Sequence, residues 1–314
     1  MSFEFKENPK RESTPLLIGL IGPSGSGKTY SALRLATGIR KLRGGKLVGI
    51  DTEARRMLHY ADEFPMTYLE FGAPFGSLRY LEALRAAAAK AEGGVVVVDS
   101  MSHEHEGEGG YLEYHESELQ RMAGDDWKKR ERMTFTAWIK PAGERRRLIN
   151  GILQMNCAFV FCFRAKEKLK LVKGQDPIQL GWQAIAGEEF AFEMTVRCLL
   201  QPGCNGVPDW SEEAFKNGVP KRGAQHFPFV PNGAQLNEEI GERLAMWAKG
   251  VAEPSLTDAL HDIENAPTLD GLKFKYGAAY RTFTDAESRA KLDDAKDKRK
   301  VAITQQASAG GQAA

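Results

Sequence analysis

Apolar residues in this chain fall into short continuous runs separated by longer polar or mixed stretches. The runs at 16–21, 46–51, 67–71, 94–99, 157–163 and 194–200 have the length of strands and are rich in Val, Ile, Leu and Phe. Their apolar residues are consecutive rather than alternating, as in Val95-Val96-Val97-Val98, which predicts strands buried on both faces of a parallel sheet. Between them, 28–42, 76–92 and 135–154 place apolar residues at helical spacing. The alternation predicts an α/β fold, a mostly parallel sheet with helices on both faces. Residues 201–235, rich in Gly, Pro and Asn, read as an irregular β extension, and 236–249 as a helix that closes the domain. Glu253-Pro254-Ser255 marks a boundary, after which 256–264 and 268–303 predict two or three amphipathic helices. The expected organisation is a flexible arm over 1–14, a core domain over 15–250, a small helical C-terminal region over 255–303 and a disordered tail over 304–314.

Composition narrows the setting. Hydrophobic residues make up 42% and charged residues 27% of the 314, the balance of a soluble globular chain. No apolar run reaches the length of a membrane span and the N-terminus lacks a secretory pattern, so a cytoplasmic protein without a membrane partner is expected. Cys157, Cys162 and Cys198 fall in apolar strand-like segments and Cys204 in a turn, with no C-x-x-C pair, which predicts reduced, packed thiols. The net charge is only +1, so any surface for a polyanion must be local.

Candidate chemistry concentrates at the first strand. Gly22-Pro23-Ser24-Gly25-Ser26-Gly27-Lys28-Thr29 is a complete P-loop, preceded by a strand-like run and followed by a helical stretch from Tyr30. Gly22, Gly25 and Gly27 let the backbone curl so that its N–H groups face a phosphate chain. Lys28 is placed to reach the β- and γ-phosphates and the Thr29 hydroxyl to ligate Mg²⁺. Pro23, Ser24, Ser26 and Tyr30 complete the expected cradle for ATP. Asp99 ends the four valines, at the strand tip where an aspartate holds the magnesium through water. Glu53, in Gly49-Ile50-Asp51-Thr52-Glu53, stands at the tip of the next strand along the chain. A carboxylate there orients and polarises the attacking water while Lys28 stabilises the transferring phosphoryl group. Asp51 reads as its structural partner, with the reverse assignment left open.

The order P-loop, strand–Asp51-Thr52-Glu53, strand–Asp99-Ser100 resembles the RecA-like ATPase core. More narrowly, these residues with Tyr60-Ala61-Asp62, Ser102-His103-Glu104 and Gly107-Glu108-Gly109-Gly110 resemble bacteriophage and prophage ATP-binding (AAA-ATPase) proteins associated with phage recombination, over about residues 15–245. That resemblance implies a phosphate-releasing ATPase, a role in phage DNA recombination or replication beside other phage proteins, and a homo-oligomeric ring or filament in the host cytosol. The chain departs from the recombinases at one point. Where they end the fourth strand in a polar amide, this sequence has Phe163-Arg164-Ala165-Lys166. Arg164 or Lys166 is therefore expected to sense the γ-phosphate, or to act across a subunit interface as an arginine finger does.

Two insertions follow strand tips, where ligand sites of open α/β sheets gather. The first, 102–134, is expected to be a loop carrying His103, Glu104, His105, Glu106 and Trp127-Lys128-Lys129-Arg130. The second, 164–189, carries Lys166, Lys168, Lys170 and Lys173 ahead of Trp182. Lys166, Lys168 and Lys170 alternate, so an extended segment sets them on one face, a way of tracking single-stranded DNA. Arg145-Arg146-Arg147 reads as the wet face of a helix. His103, His105 and His115 lack a metal-ligand spacing, and His103 lies near enough to Asp99 in sequence to contact the nucleotide or the water. The leading expectation is an ATPase acting on single-stranded DNA. Its alternatives are a nucleotide-gated assembly factor that binds a protein partner and a small-molecule P-loop kinase.

Overall fold

The computed structural model describes residues 15–170, 178–250, 256–283 and 285–310. The chain divides into two compact units, Met1–Gly250 and Val251–Ala314. Among the described residues of the first, eight strands form the sheet: β1 Leu17–Gly22, β2 Leu47–Asp51, β3 Thr67–Glu70, β4 Val95–Asp99, β5 Ala158–Lys170, β6 Ile178–Ala184, β7 Val196–Leu199 and β8 Lys221–Arg222. Their order is β3-β2-β4-β5-β1-β7-β8, parallel from β3 to β7, with β6 antiparallel to the far half of β5. Successive residues of a strand feed opposite faces, and here each face is a core. Val95, Val97, Ile18 and Leu20 enter one, and Val96, Val98, Leu17 and Ile21 the other. That is why the runs carry no polar alternation.

Helices cover both faces. α1 Lys28–Arg43 follows the P-loop, α2 Ser77–Ala91 precedes β4, and α3 Ser102–Glu106, α4 Tyr111–Ala123, α5 Trp127–Ala137 and α6 Ile139–Leu153 fill the connection from β4 to β5. α7 Glu188–Glu193, α8 Glu212–Lys216 and α9 Glu238–Ala248 follow. α1 and α9 share the first core through Leu35, Ile39 and Leu244, while α2 and α6 pack into the second through Tyr80, Leu84 and Leu148. The crossing of α1 and α9 depends on glycine. A Cβ at Gly38 would lie 1.8 Å from the Glu238 carbonyl oxygen, and one at Gly241 2.2 Å from that of Leu35.

Several expectations are corrected. The first insertion is helical, and the helix expected over 135–154 is two, meeting at Trp138. α5 buries only Ala137, so no apolar stripe announces it; it starts because Asp126 accepts from the Lys128 and Lys129 N–H groups. The second insertion extends β5 into a hairpin with β6, so its lysines do lie on an extended segment, though a register shift between Glu167 and Leu169 breaks their strict alternation. The segment 201–235 holds a two-residue strand, an isolated bridge from Leu199 to Asp209 and the short helix α8. The C-terminal unit contains α10 Leu256–Glu264, α11 Leu269–Thr282 and α12 Ala286–Gly310, packed through Ile263, Leu272 and Leu292. α12 runs into the stretch expected to be disordered from 304. The arm over 1–14, Lys173 and residues 311–314 lie outside the described residues. No helix among the described residues is long and apolar enough to cross a membrane.

Candidate functional site

Register brings the signature residues to one edge. Asp51 lies across from Asp99 on β2 and β4, and Gly22 across from Arg164 on β1 and β5. All four stand at the carboxyl edge, where open α/β sheets hold ligands. The P-loop turns there because Gly25 and Gly27 take φ of 79° and 83°, a region that disfavours side chains. A Cβ at either would meet nothing within 4 Å, so the loop's inner side is open. Ser26 Oγ is buried without a partner among the described residues. An open glycine cradle, an orphaned hydroxyl and a lysine at a helix N-terminus form a donor set that fits a polyphosphate.

A cavity of about 540 Å³ opens beside the loop, lined by Lys28, Thr29, Glu53, Arg56, Asp99 and Arg164 among others. Thr29 Oγ1 donates to Asp99 Oδ2 at 2.5 Å, so the two oxygen groups expected to serve magnesium are already adjacent. Burial pushes the Asp99 carboxyl up despite that bond and the nearby Lys28. Lys28 Nζ donates to the Pro23 carbonyl at 2.7 Å, and burial pulls its ammonium down against the opposing pull of Asp99 and Glu53. Hard oxygen donors beside a phosphate cradle suit Mg²⁺.

Glu53 and Asp51 separate cleanly. Asp51 is 1% exposed and turns into its own loop, where Oδ1 accepts from Glu53 N at 2.7 Å and Oδ2 from Met57 N at 2.9 Å. Glu53 faces the cavity and receives two bonds from Arg164, Nε to Oε1 at 2.7 Å and Nη2 to Oε2. Burial raises the Glu53 carboxyl, but the Arg164 bonds and charge outweigh it and leave the group below its ordinary range. Arg164 is thus turned onto Glu53 of its own chain. His103 does not line the cavity; it stacks on Phe75 and its Nδ1 lies 2.7 Å from Thr52 Oγ1.

The remaining predicted residues lie elsewhere. Ser26 and Tyr30 line a second cavity, of about 330 Å³, on the other side of the P-loop with Arg34, Asn205 and Gln235. Tyr30 also donates through its hydroxyl to Glu63. The cradle's far wall, 203–206 and Gln235, carries no local motif and was missed. Lys166 on β5 is 3.7 Å from Glu106 of α3, and Lys168 borders a separate cavity of about 470 Å³ with Phe163 and Phe190. Lys170 ends β5, past a register shift between Glu167 and Leu169.

Arg145 overturns its expected place on a wet face. It is 2% exposed, bonds Glu104 through Nε and Nη2 at 3.2 and 2.8 Å, and lies over the Tyr111 ring. Among the described residues no cluster of three or more His, Cys, Asp or Glu could hold a metal ion.

A sequence profile described as an AAA domain matches residues 14–195, which cover more than half of the chain. The chain belongs to this AAA domain family. No curated protein matches it. The matched AAA domain contains the P-loop, Glu53, Asp99 and Arg164, and its sheet and flanking helices are those of an α/β P-loop NTPase core. The family is one of nucleotide-binding, ATPase-type domains.

Proposed function

We propose that this AAA domain protein binds Mg-ATP and hydrolyses it, and that it couples turnover to single-stranded DNA in phage recombination or replication. The observation that carries the ATPase part is the convergence of Lys28, Thr29, Glu53, Asp99 and Arg164 on one cavity. Lys28 and the loop N–H groups bind the phosphates; the second cavity takes the nucleoside, with Tyr30 and Gln235 at its wall. Thr29 and Asp99 hold the magnesium, which when bound withdraws charge from the phosphate oxygens. Glu53 accepts a hydrogen bond from a water and aligns it on the γ-phosphorus, where the new P–O bond forms as the bond to the β–γ bridging oxygen breaks. The bridging oxygen leaves with the bonding pair on ADP, and the water's proton passes through Glu53 to the products. Arg164 orients Glu53 for this step.

The DNA part is supported by the resemblance to phage recombination ATPases and by Lys166, Lys168 and Lys170 on the hairpin arm. A homo-oligomer is part of the same reading. One observation favours a protein partner as a second reading: Trp127, Phe135 and Ile139 are 68%, 86% and 69% exposed on consecutive helices.

Phosphate release from Mg-ATP, measured alone, with single-stranded DNA and with duplex DNA, tests the proposal, with Lys28→Ala as the blank. Stimulation by single strands that is lost in Lys166→Ala/Lys168→Ala supports it. Turnover indifferent to DNA sinks the DNA part and turns attention to the exposed Trp127, Phe135 and Ile139; no turnover above the blank sinks the ATPase itself.

A further inference from the structure

The loop between β2 and the short 3-10 turn Arg56–Tyr60 delivers two arginines to opposite fates. Ala54 and Arg55 take positive φ in succession, 54° and 67°, a left-handed conformation that side chains disfavour. Surroundings must over-determine such a backbone for it to persist, and strain of this kind gathers at functional sites. Here Asp51 does so, since its carboxylate accepts from Glu53 N, Met57 N and the Tyr68 hydroxyl, and Met57 is fully buried. The reversal sends Arg55 outward to a two-bond pair with Glu70. Arg56, also exposed, instead lines the phosphate cavity with Lys28, Thr29 and Glu53.

Pairing distinguishes Arg56 from Arg164, the other arginine of the cavity. Three carboxylates, Glu53, Asp99 and Glu106, and three cations, Lys28, Arg56 and Arg164, line the cavity; Arg164 is engaged by Glu53, and Glu106 lies 3.7 Å from Lys166. Arg56 has no carboxylate within ion-pair distance among the described residues. With Lys28, it is a cation left free of carboxylates in a cavity read as receiving a tetra-anion with one divalent metal.

We propose that Arg56 contacts the γ-phosphoryl oxygens in cis and stabilises the charge on that group during transfer, while Arg164 serves as the positioning residue for Glu53. This rests on the ATPase reading above. The bonds made and broken are those of hydrolysis; Arg56 gives hydrogen bonds and exchanges no proton.

The test uses the full chain as wild type, Arg56→Gln, Arg56→Lys and, as a control for the loop, Arg55→Gln. Turnover is measured beside the affinities for Mg-ADP, Mg-ATP and Mg-ADP with aluminium fluoride, which mimics the group in transfer. Arg56→Gln is expected to lower kcat by about 100-fold or more, and to weaken the aluminium fluoride complex by a comparable factor. Its affinity for Mg-ADP stays within about twofold, since ADP lacks the group that Arg56 touches. Arg56→Lys recovers part of the loss, and Arg55→Gln turns over like the wild type. Native kcat in Arg56→Gln, or an equal loss of Mg-ADP affinity, overturns the proposal; the second result makes Arg56 a prop of the loop. A wild type that binds Mg-ATP without hydrolysing it would sink the ATPase reading alone, because Arg56→Gln must still weaken Mg-ATP relative to Mg-ADP. A wild type that binds neither nucleotide sinks both.

Discussion

Two arginine–carboxylate pairs stand near the carboxyl edge of the sheet, alike in chemistry and opposite in setting. Arg145 and Glu104 are 2% and 1% exposed, with Ser77 Oγ donating to Glu104 and His105 beside the guanidinium. Arg164 and Glu53 share the same two-bond geometry, yet the Arg164 side chain is 42% exposed and Glu53, 9% exposed, lines the phosphate cavity with it. Glu189 stands 3.8 Å from Arg145 Nη1, but the sealed Glu104 takes the two close bonds, and the pair fixes α3, which follows Asp99, against α6. A pair whose arginine is open to solvent can lose that arginine to an arriving anion at smaller cost, because water and the ligand both replace what the arginine gives up. Access, and not the pair itself, separates a structural contact from one fit for a working site.

Removing one member of each pair tests whether access separates them. Arg145→Ala leaves the Glu104 carboxylate buried and unpaired, and is expected to lower stability by about 3–5 kcal/mol. Chemical denaturation measures it, and a midpoint near that of the wild type would mean the pair is not sealed. Glu53→Gln keeps the shape and removes the charge. It should keep the fold and Mg-ATP binding while slowing turnover by about 100-fold or more, and native turnover would end its catalytic assignment. Arg164→Ala should cost less stability than Arg145→Ala, because Glu53, though 9% exposed, opens onto the cavity. Its turnover should fall about 10- to 100-fold as Glu53 loses its orienting partner. A stability loss matching that of Arg145→Ala would erase the distinction.

The smallest effect concerns pH. Burial, with Arg145, Lys166 and Lys168 nearby, lowers His105 to about 4 from an ordinary 6.5. A histidine held neutral in the folded chain and protonated in the unfolded one adds stability that is full above pH 6.5 and is lost as pH falls toward 4. Denaturation midpoints of the wild type should drop across that window more steeply than those of His105→Gln. Parallel slopes would mean that His105 is free to titrate.

Much of the first unit was readable because its signals are local. Each inner strand shows as a continuous apolar run, and the P-loop states its turn, charge and helix start within eight adjacent residues. α4 and α5 were not readable, since polar helices with few buried positions have no apolar period, although Gly124 and Asp126 mark where one stops and the next begins. Arg145 was misplaced because three consecutive arginines look alike until the fold gives one of them a buried carboxylate. Glu53 lies 111 residues from Arg164, and Glu104 lies 41 from Arg145. No window of sequence contains either pair.

The sheet's inner strands, the P-loop and the carboxylates near it are written in adjacent residues of the chain. These follow from backbone chemistry and burial that neighbouring residues specify. Tertiary structure alone decided which arginine is sealed, which is held by Glu53 and which is left facing the cavity. Those fates depend on strand register and on a strained turn, where side chains distant in sequence compete for the same charge.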